Sequence, residues 1–443
     1  MRKLGHFFIL ILGAIFILTA CSQDNQNETE QYDSIADEAD SEIKLPKGVK
    51  IIENPNDFKP VTLDQSYHME TDTHLNIAGF YITTDGNSIY IHHSLRLEVL
   101  DIKTKSYTLL CNLPQCEHDF SSEDCKAYFN SQGIQYFQGS LYTVAEETIW
   151  EGDEVIGYEE VLYRISLDGN TKEKICTFAT IYKRDIVTMA DSNMQSCSIY
   201  WTIHRGYIYY VYDIGTSGLP DNTFYNNMSN YICRMKIGKN EEREYIMPLE
   251  KGSITAETDF WGYGSYVYFC DIKEKGRGDV YRFNTESKEV EKLPLHNRQT
   301  QTYTAWEDAL LYTNIADDRD TGLYRYNRDG STEKILDFAD FDKRFGTLSD
   351  IFLFRDSQYI YATSYIDKEA KLTKCIVLDG EGNYISSFNC CVEENEPAGL
   401  YSITDEMMLM PTPFLAWYYF DKEELKTGEI HPVKLIDSDV EGK

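Results

Sequence analysis

Cys111, Cys116, His118 and Cys125 fall within one stretch of fifteen residues, CNLPQCEHDFSSEDC. Thiolate sulfur and imidazole nitrogen are the ligands that tetrahedral zinc takes, so these residues amount to a ligand set of three cysteines and one histidine. Their spacing, C-x4-C-x-H-x6-C, is not that of a familiar zinc finger, and Cys116 and His118 stand only two positions apart. A single disulfide stapling a long loop accounts for the residues more simply and would contribute about 2–4 kcal/mol. Free thiols are the third outcome. His92 and His93, a little upstream, would lie on the same side and could join such a site; two exposed histidines are the plainer reading. No cofactor is expected apart from zinc as the alternative in this loop.

The choice among these chemistries depends on the compartment. The chain opens MRKLGHFFILILGAIFILTAC, with Arg2 and Lys3 ahead of an apolar run from Phe7 to Leu18. That run is shorter than the roughly 20 residues a bilayer-spanning helix needs, so residues 1–20 are expected to be a cleaved signal. Leu18-Thr19-Ala20-Cys21 resembles the bacterial lipobox, whose cysteine is lipid-modified and becomes the first mature residue. The resemblance implies lipidation of Cys21 and a place on the extracellular face of a bacterial membrane. Two acyl chains suffice for stable anchoring at about 0.8 kcal/mol per buried CH2. From Ser22 to Glu42 there are eight acids and no Lys or Arg. Residues 21–48 therefore read as a solvated, disordered tether. Ten cysteines remain beyond Cys21, an even number in a compartment that permits disulfides. Cys176, Cys233, Cys270 and Cys375 occupy strand positions that other segments fill with Leu, Ile or Tyr, which suits small buried hydrophobes.

The formal net charge is −31, and losing Arg2 and Lys3 with the signal takes it to −33. This argues against nucleic acid as a partner and against an electrostatic hold on anionic lipid. Membrane contact is then expected through the lipid anchor alone, and the folded body is expected to be monomeric.

The body is repetitive. A tight turn followed by a short aromatic-aliphatic strand recurs in DGNSIYI, GSLYTV, RGYIYYV, GSYVYF, EDALLYT, DSQYIYA and DEMMLM. Each is followed by a second hairpin, clearest in LYRISLDGNTKEKIC and LYRYNRDGSTEKIL. Alternating apolar positions around Asp-Gly and Gly-Ser turns mean hairpins, and helical periodicity is nearly absent. Counting the strand before each first turn, every unit has four strands. Units recur every 45 to 65 residues or so, the spacing of propeller blades. The expected fold is an all-β, β-propeller of four-stranded antiparallel blades: seven units are counted, with six or eight as alternatives. The ring is assigned to 75–437, after a lead-in over 49–74 and before a disordered tail over 438–443.

The unit resembles the YWTD-like β-propeller repeats of low-density-lipoprotein-receptor type, which also occur in surface lipoproteins of Gram-positive bacteria. IYYVYD followed by LYR-x3-DG carries that resemblance. The receptor-type ring has six blades where seven are counted here, and the repeat lengths vary widely.

In a four-stranded blade, the first and third turns lie at one rim. The middle loop and the crossing to the next blade lie at the other. Here the first rim is trimmed to DG, GS and RG turns, whereas long insertions gather on the second, in blades 1 to 3. Long loops on a rigid scaffold are where binding usually sits. Trp150, Tyr158, Tyr225, Asn226 and Asn227 are the candidate contacts for a glycan, peptide or protein ligand, and the cysteine loop lies on the same rim.

HExxH, a GxSxG elbow, a Gly-rich phosphate loop and a strand-borne GxGxxG are all absent, and DDRDTG at 317 lacks the distal acid of a calcium loop. The expectation is a binding module without enzymatic activity. The alternatives are a propeller-type carbohydrate-active hydrolase or lyase, with carboxylates converging on the ring's axis, and a structural partner of a cell-envelope or transport complex.

Overall fold

The structure, a computed structural model, describes residues 49–51, 81–93, 95–113, 116, 125–128, 133–182, 201–214, 229–240, 242–249, 260–273, 277–293, 300–306, 309–314, 322–327, 331–337, 349–356, 358–367, 372–393, 396–402, 404–412 and 416–435. Seven four-stranded antiparallel sheets form, each from one continuous stretch of chain with its strands in sequence order. They are the blades of a seven-bladed β-propeller, and among the described residues there is no α-helix.

Blade 1 comprises Tyr81–Thr84, Ser88–His93, Arg96–Asp101 and Tyr107–Leu109. Blade 2 comprises Gln135–Phe137, Ser140–Glu151, Glu154–Ser166 and Lys172–Tyr182. Blade 3 runs through Trp201–His204, Tyr207–Ile214, Ser229–Lys236 and Arg243–Pro248, and blade 4 through Phe260–Tyr263, Tyr266–Lys273, Arg277–Asn284 and Val290–Lys292. Blade 5 holds Thr300–Trp306, Ala309–Asn314, Gly322–Tyr326 and Thr332–Asp337; blade 6 holds Ser349–Arg355, Ile360–Asp367, Leu372–Leu378 and Tyr384–Cys390. Blade 7 is Tyr401–Ser402, Met407–Pro411, Trp417–Asp421 and Val433–Lys434, with a 3-10 turn at Lys422–Lys426 before its last strand.

A lone four-stranded sheet has two apolar faces and can bury neither, so each blade depends on its neighbours. Blades 1 and 2 share a core that includes Tyr90, Leu97, Leu141 and Ile165. Tyr142, Leu162, Ile208 and Cys233 join blades 2 and 3, and Tyr209, Ile232, Phe269 and Tyr281 join 3 and 4. Tyr268 and Tyr312 meet between 4 and 5, Leu311 and Ile376 between 5 and 6, and Tyr361 and Met408 between 6 and 7. The seventh core packs Ile82, Ile91 and Leu100 of blade 1 on Leu409 and Trp417 of blade 7. That last core closes the ring. Among the described residues no strand is exchanged between blades 7 and 1, and the junction seen is side-chain packing.

A second device repeats around the rim. The turn between the third and fourth strands of one blade rests on the outer part of the blade before it. In blade 2 this turn contains Gly169, at φ +69°, where an added Cβ would sit 2.5 Å from the Leu110 carbonyl oxygen of blade 1. Only glycine allows both that backbone conformation and that approach. In blade 3, Asn240 Oδ1 accepts from the Thr177 N–H of blade 2 at 3.1 Å. In blade 7, Ser386 of blade 6 donates to the Leu425 carbonyl. Lys105 of blade 1 reaches Met407 and the Tyr419 ring of blade 7, so the closing junction uses the same device.

Val49–Ile51 adds a fifth strand, parallel, to the outer edge of blade 4 through Val290–Lys292. Val49–Ile51, at the start of the segment assigned as a lead-in, is therefore an edge strand of blade 4.

Candidate functional site

Blade 1's outer strand ends early. Leu110 N–H bonds to the Leu97 carbonyl, and then the chain departs. It returns to the same edge where the Ala127 carbonyl accepts from Leu97 N–H and Tyr128 bridges Arg96. The departing and returning ends bring Cys111 and Cys125 together in a small core with Leu109 and Ala127, against which Leu113, Cys116 and Tyr128 pack. The sulfurs of Cys111, Cys116 and Cys125 lie within 4.8 Å of one another, and all three are free thiols. His118 lies outside the described residues, so the set seen together consists of the three cysteines.

The three sulfurs are not equivalent. Burial pushes the Cys111 thiol up, but backbone hydrogen bonds from Leu113 and Lys126 and side-chain bonds from Cys116 and Cys125 outweigh it. Its pKa falls below the ordinary thiol value. Cys125 is driven up to about 12, by burial first and then by its two sulfur neighbours. The arrangement is one sulfur held toward thiolate by N–H and S–H donors, with two more within reach. Elsewhere, Cys176, Cys233 and Cys375 are buried in blade cores, as is Cys390, while its neighbour Cys391 is half-exposed. The side chain of Cys270 lies outside the described ones. His92, at the end of blade 1's second strand, is buried and not exposed.

Blade 2 grows out of the ring. Its second and third strands have 12 and 13 residues, where other blades use 5 to 8. They remain paired from Ser140↔Ser166 out to Glu151↔Glu154. The core cluster shared with blade 3 takes Val144 and Leu162 but nothing further out on these two strands. Six residues beyond Ala145, at about 3.3 Å each, make a tongue about 20 Å long. Its outer strand follows as far as Tyr182, which pairs with Gly157. Lys174 braces the base by bridging Glu147 at 3.1 Å and Glu159 at 2.7 Å. Lys172 lies over the Tyr163 ring, 4.6 Å from its centre. Burial draws its pKa down to about 8, with Glu147 opposing and Lys126 of the cysteine loop adding repulsion.

The tongue presents Trp150, which is 60% exposed, and the half-buried Tyr158 opposite Thr148. Around its tip stand the exposed acids Glu151, Asp153 and Glu154. Large aromatics rarely stay this open without a partner, and Tyr245 and Tyr384 are the other exposed rings among the described residues. Tyr225, Asn226 and Asn227 lie outside the described residues. The two strands that bracket them, Tyr207–Ile214 and Ser229–Lys236, end on the same rim as the tongue. Cys21 is likewise outside the described residues.

The opposite rim carries two buried polar joints that the sequence pattern does not announce. His204, at the end of blade 3's first strand, donates from Nε2 to the Gly264 carbonyl of blade 4 at 2.7 Å, and its ring lies against Gly262. Burial lowers its pKa to about 4, with the Gly264 bond opposing and Arg205 assisting. A lone glycine inside the aromatic strand Phe260–Tyr263 marks such a close approach. Asp356, in blade 6's first turn, accepts from Tyr361 of its own blade and from Ser402 and Lys422 of blade 7. Asp85 holds Tyr90 in the same way in blade 1, so D-x4-Y is the sequence signal. Asp350 is the sole acid within the described innermost strands, which therefore build no carboxylate pair along the axis.

No protein-family model and no curated protein matches the chain by sequence. Solved structures match its fold. A prolyl endopeptidase is 12% identical over 81% of this chain and 50% of its own, with a TM-score of 0.49. The dipeptidyl peptidase 4 of Porphyromonas gingivalis is 11% identical over 86% and 62%, with a TM-score of 0.46. A puromycin hydrolase is 10% identical over 82% and 55%, with a TM-score of 0.47. This chain thus spans 50% to 62% of the length of these proteins. At such identity the likeness shows the propeller alone. It corrects one expectation nevertheless. The lack of catalytic motifs points to a protein without enzymatic activity, but propellers of this kind occur in peptidases, so that conclusion does not stand.

Proposed function

We propose that this chain is a lipid-anchored extracellular protein whose propeller binds a ligand with the tongue of blade 2, beside the insertions of blades 1 and 3. The observation that carries the reading is a three-stranded extension of the ring that ends in an open tryptophan ringed by acids. A tryptophan offers a rigid apolar face at low conformational cost, and the acids favour a cationic or hydroxyl-rich partner. A glycan or a basic peptide has the matching chemistry. The lipobox-like Leu18–Cys21 stretch and the acidic run after it support an anchor on a long tether.

Binding is tested on glycan and tiled-peptide arrays with the purified full chain. A second sample replaces 147–159 by Asn-Gly, which closes the Glu146–Glu160 pair with a two-residue turn. Signals on particular glycans or basic peptides that vanish with the tongue support the proposal. Arrays on which both samples give the same pattern exclude the tongue as the binding element. Anchoring is tested separately by feeding cells radiolabelled palmitate. Label is expected on the wild-type chain and in the membrane fraction, and both are lost in Cys21→Ala. A labelled Cys21→Ala chain would place the lipid elsewhere.

A further inference from the structure

We infer that Cys111, Cys116 and Cys125 form a metal site for a thiophilic d10 cation, zinc in the first instance, with three protein sulfurs and a fourth position left for water or another ligand. Zinc binds thiolates at about 2.3 Å, so a tetrahedral ion sets its sulfurs about 3.8 Å apart. The three sulfurs here are already within 4.8 Å of one another without any bond joining them. A disulfide uses two sulfurs and leaves the third idle; a metal uses all three.

The scaffold around them suits a metal. Cys111 accepts hydrogen bonds from the backbone N–H groups of Leu113 and Lys126, and Cys125 from that of Ala127. Such N–H···S bonds orient ligating sulfur and stabilise its negative charge. Leu109 and Ala127 give the pair an apolar floor, while Cys116 stays half-exposed on the side from which an ion would enter. The strand edge itself is rigid, because Leu97 holds both ends of the loop through its N–H and carbonyl. Asn112 adds a bond to the Asp168 carbonyl of blade 2 at 2.7 Å. A metal here would lock the start of the crossing from blade 1 to blade 2 against the blade 2 turn that holds Asp168 and Gly169. Binding displaces the thiol protons, so it is expected to release acid and to weaken as pH falls.

The test uses the full chain, purified without oxygen and stripped of metal, with Co2+ as the spectroscopic probe and Zn2+ as competitor. One Co2+ per chain is expected to produce a sulfur-to-cobalt charge-transfer band and the intense visible bands of a tetrahedral ion. One equivalent of Zn2+ is expected to abolish them and to protect three thiols from maleimide. Cys116→Ser leaves the buried pair in place and is expected to weaken cobalt binding at least tenfold, with the circular dichroism unchanged. Cys391→Ser, the half-exposed cysteine in blade 6, is expected to leave the spectrum intact. Absence of the charge-transfer band would overturn the inference. So would an unreduced peptide map that joins any two of the three cysteines in protein taken directly from cells.

Discussion

Replacing Asp356 by Ala is expected to cost about 3–5 kcal/mol of stability, the loss seen when one partner of a buried ion pair is removed. Its Oδ2 accepts from Lys422 Nζ at 2.6 Å, Tyr361 OH at 2.6 Å and Ser402 Oγ at 2.5 Å. Its Oδ1 accepts from the N–H groups of Gln358 and Tyr359, each at 2.7 Å. The Lys422 side chain is 4% exposed and that of Asp356 8%, so water cannot replace what the mutation removes. The ammonium would be left buried without a counter-charge. The double variant Asp356→Ala, Lys422→Met is expected to recover much of the loss, which separates the stranded charge from lost packing. Burial raises the Asp356 pKa, but the Lys422 charge and the hydrogen bonds overcome it, and the group ends below its ordinary value. A depressed carboxylate pKa stabilises above the unfolded value of about 3.9 and loses that contribution as pH falls through the folded one. Urea unfolding of wild type and Asp356→Ala should therefore differ most near neutrality and converge in acid. A constant gap across pH would mean that the carboxylate's charge does not matter.

Gly262→Ala is expected to cost about 3 kcal/mol, the upper range for overpacking a tight site. The new Cβ would stand 2.2 Å from Nδ1 and 2.4 Å from Cγ of His204, and neither partner has room to retreat because the ring is bonded to Gly264. The clash should loosen the joint between blades 3 and 4. Combined with His204→Ala, the two losses should fall short of their sum, since residues in contact are not additive. The same histidine gives an acid response. Its folded pKa of about 4 lies below the ordinary 6.5, so the unfolded chain takes up the proton first. Stability is full above about pH 6.5 and declines by about 3 kcal/mol as pH falls to 4, and His204→Ala should lack that slope. An unaltered slope in that variant would assign the acid response to other groups.

The architecture was legible because it is written locally and seven times over. DGNSIYI, RGYIYYV and DSQYIYA each announce a turn and a strand without long-range information, and all seven predicted units became blades. Ring closure was not legible. It depends on Ile91 meeting Leu409, residues more than 300 positions apart, and no strand among the described residues is shared to signal it. Val49–Ile51 falls in the segment assigned as a lead-in, and its pairing with Val290–Lys292 is chosen by tertiary position. At the candidate site, the cysteine spacing marked a shared loop. The convergence of the three sulfurs came from the way Leu97 gathers both loop ends. The tongue reads as a loop in sequence, since VAEETIWEGDEVIGYEE has a turn at Glu-Gly-Asp but interrupts its apolar alternation with acids. The strands persist through those acids because the cross-strand pairing continues to Glu151↔Glu154, with one bulge beside Ile149 and Trp150. His204 and Asp356 escape detection because a single His or Asp in a turn looks polar and exposed until the next blade covers it.

Trp150 on the tongue is the proposed central contact. The direct measurement is the dissociation constant of the strongest array ligand for the full chain and for Trp150→Ala, with Tyr384→Ala as an exposed aromatic control on blade 6. A buried tryptophan anchor contributes at least about 2 kcal/mol, so Trp150→Ala should bind about 30-fold more weakly while Tyr384→Ala matches wild type. Equal affinity for wild type and Trp150→Ala, with both chains folded, would contradict it.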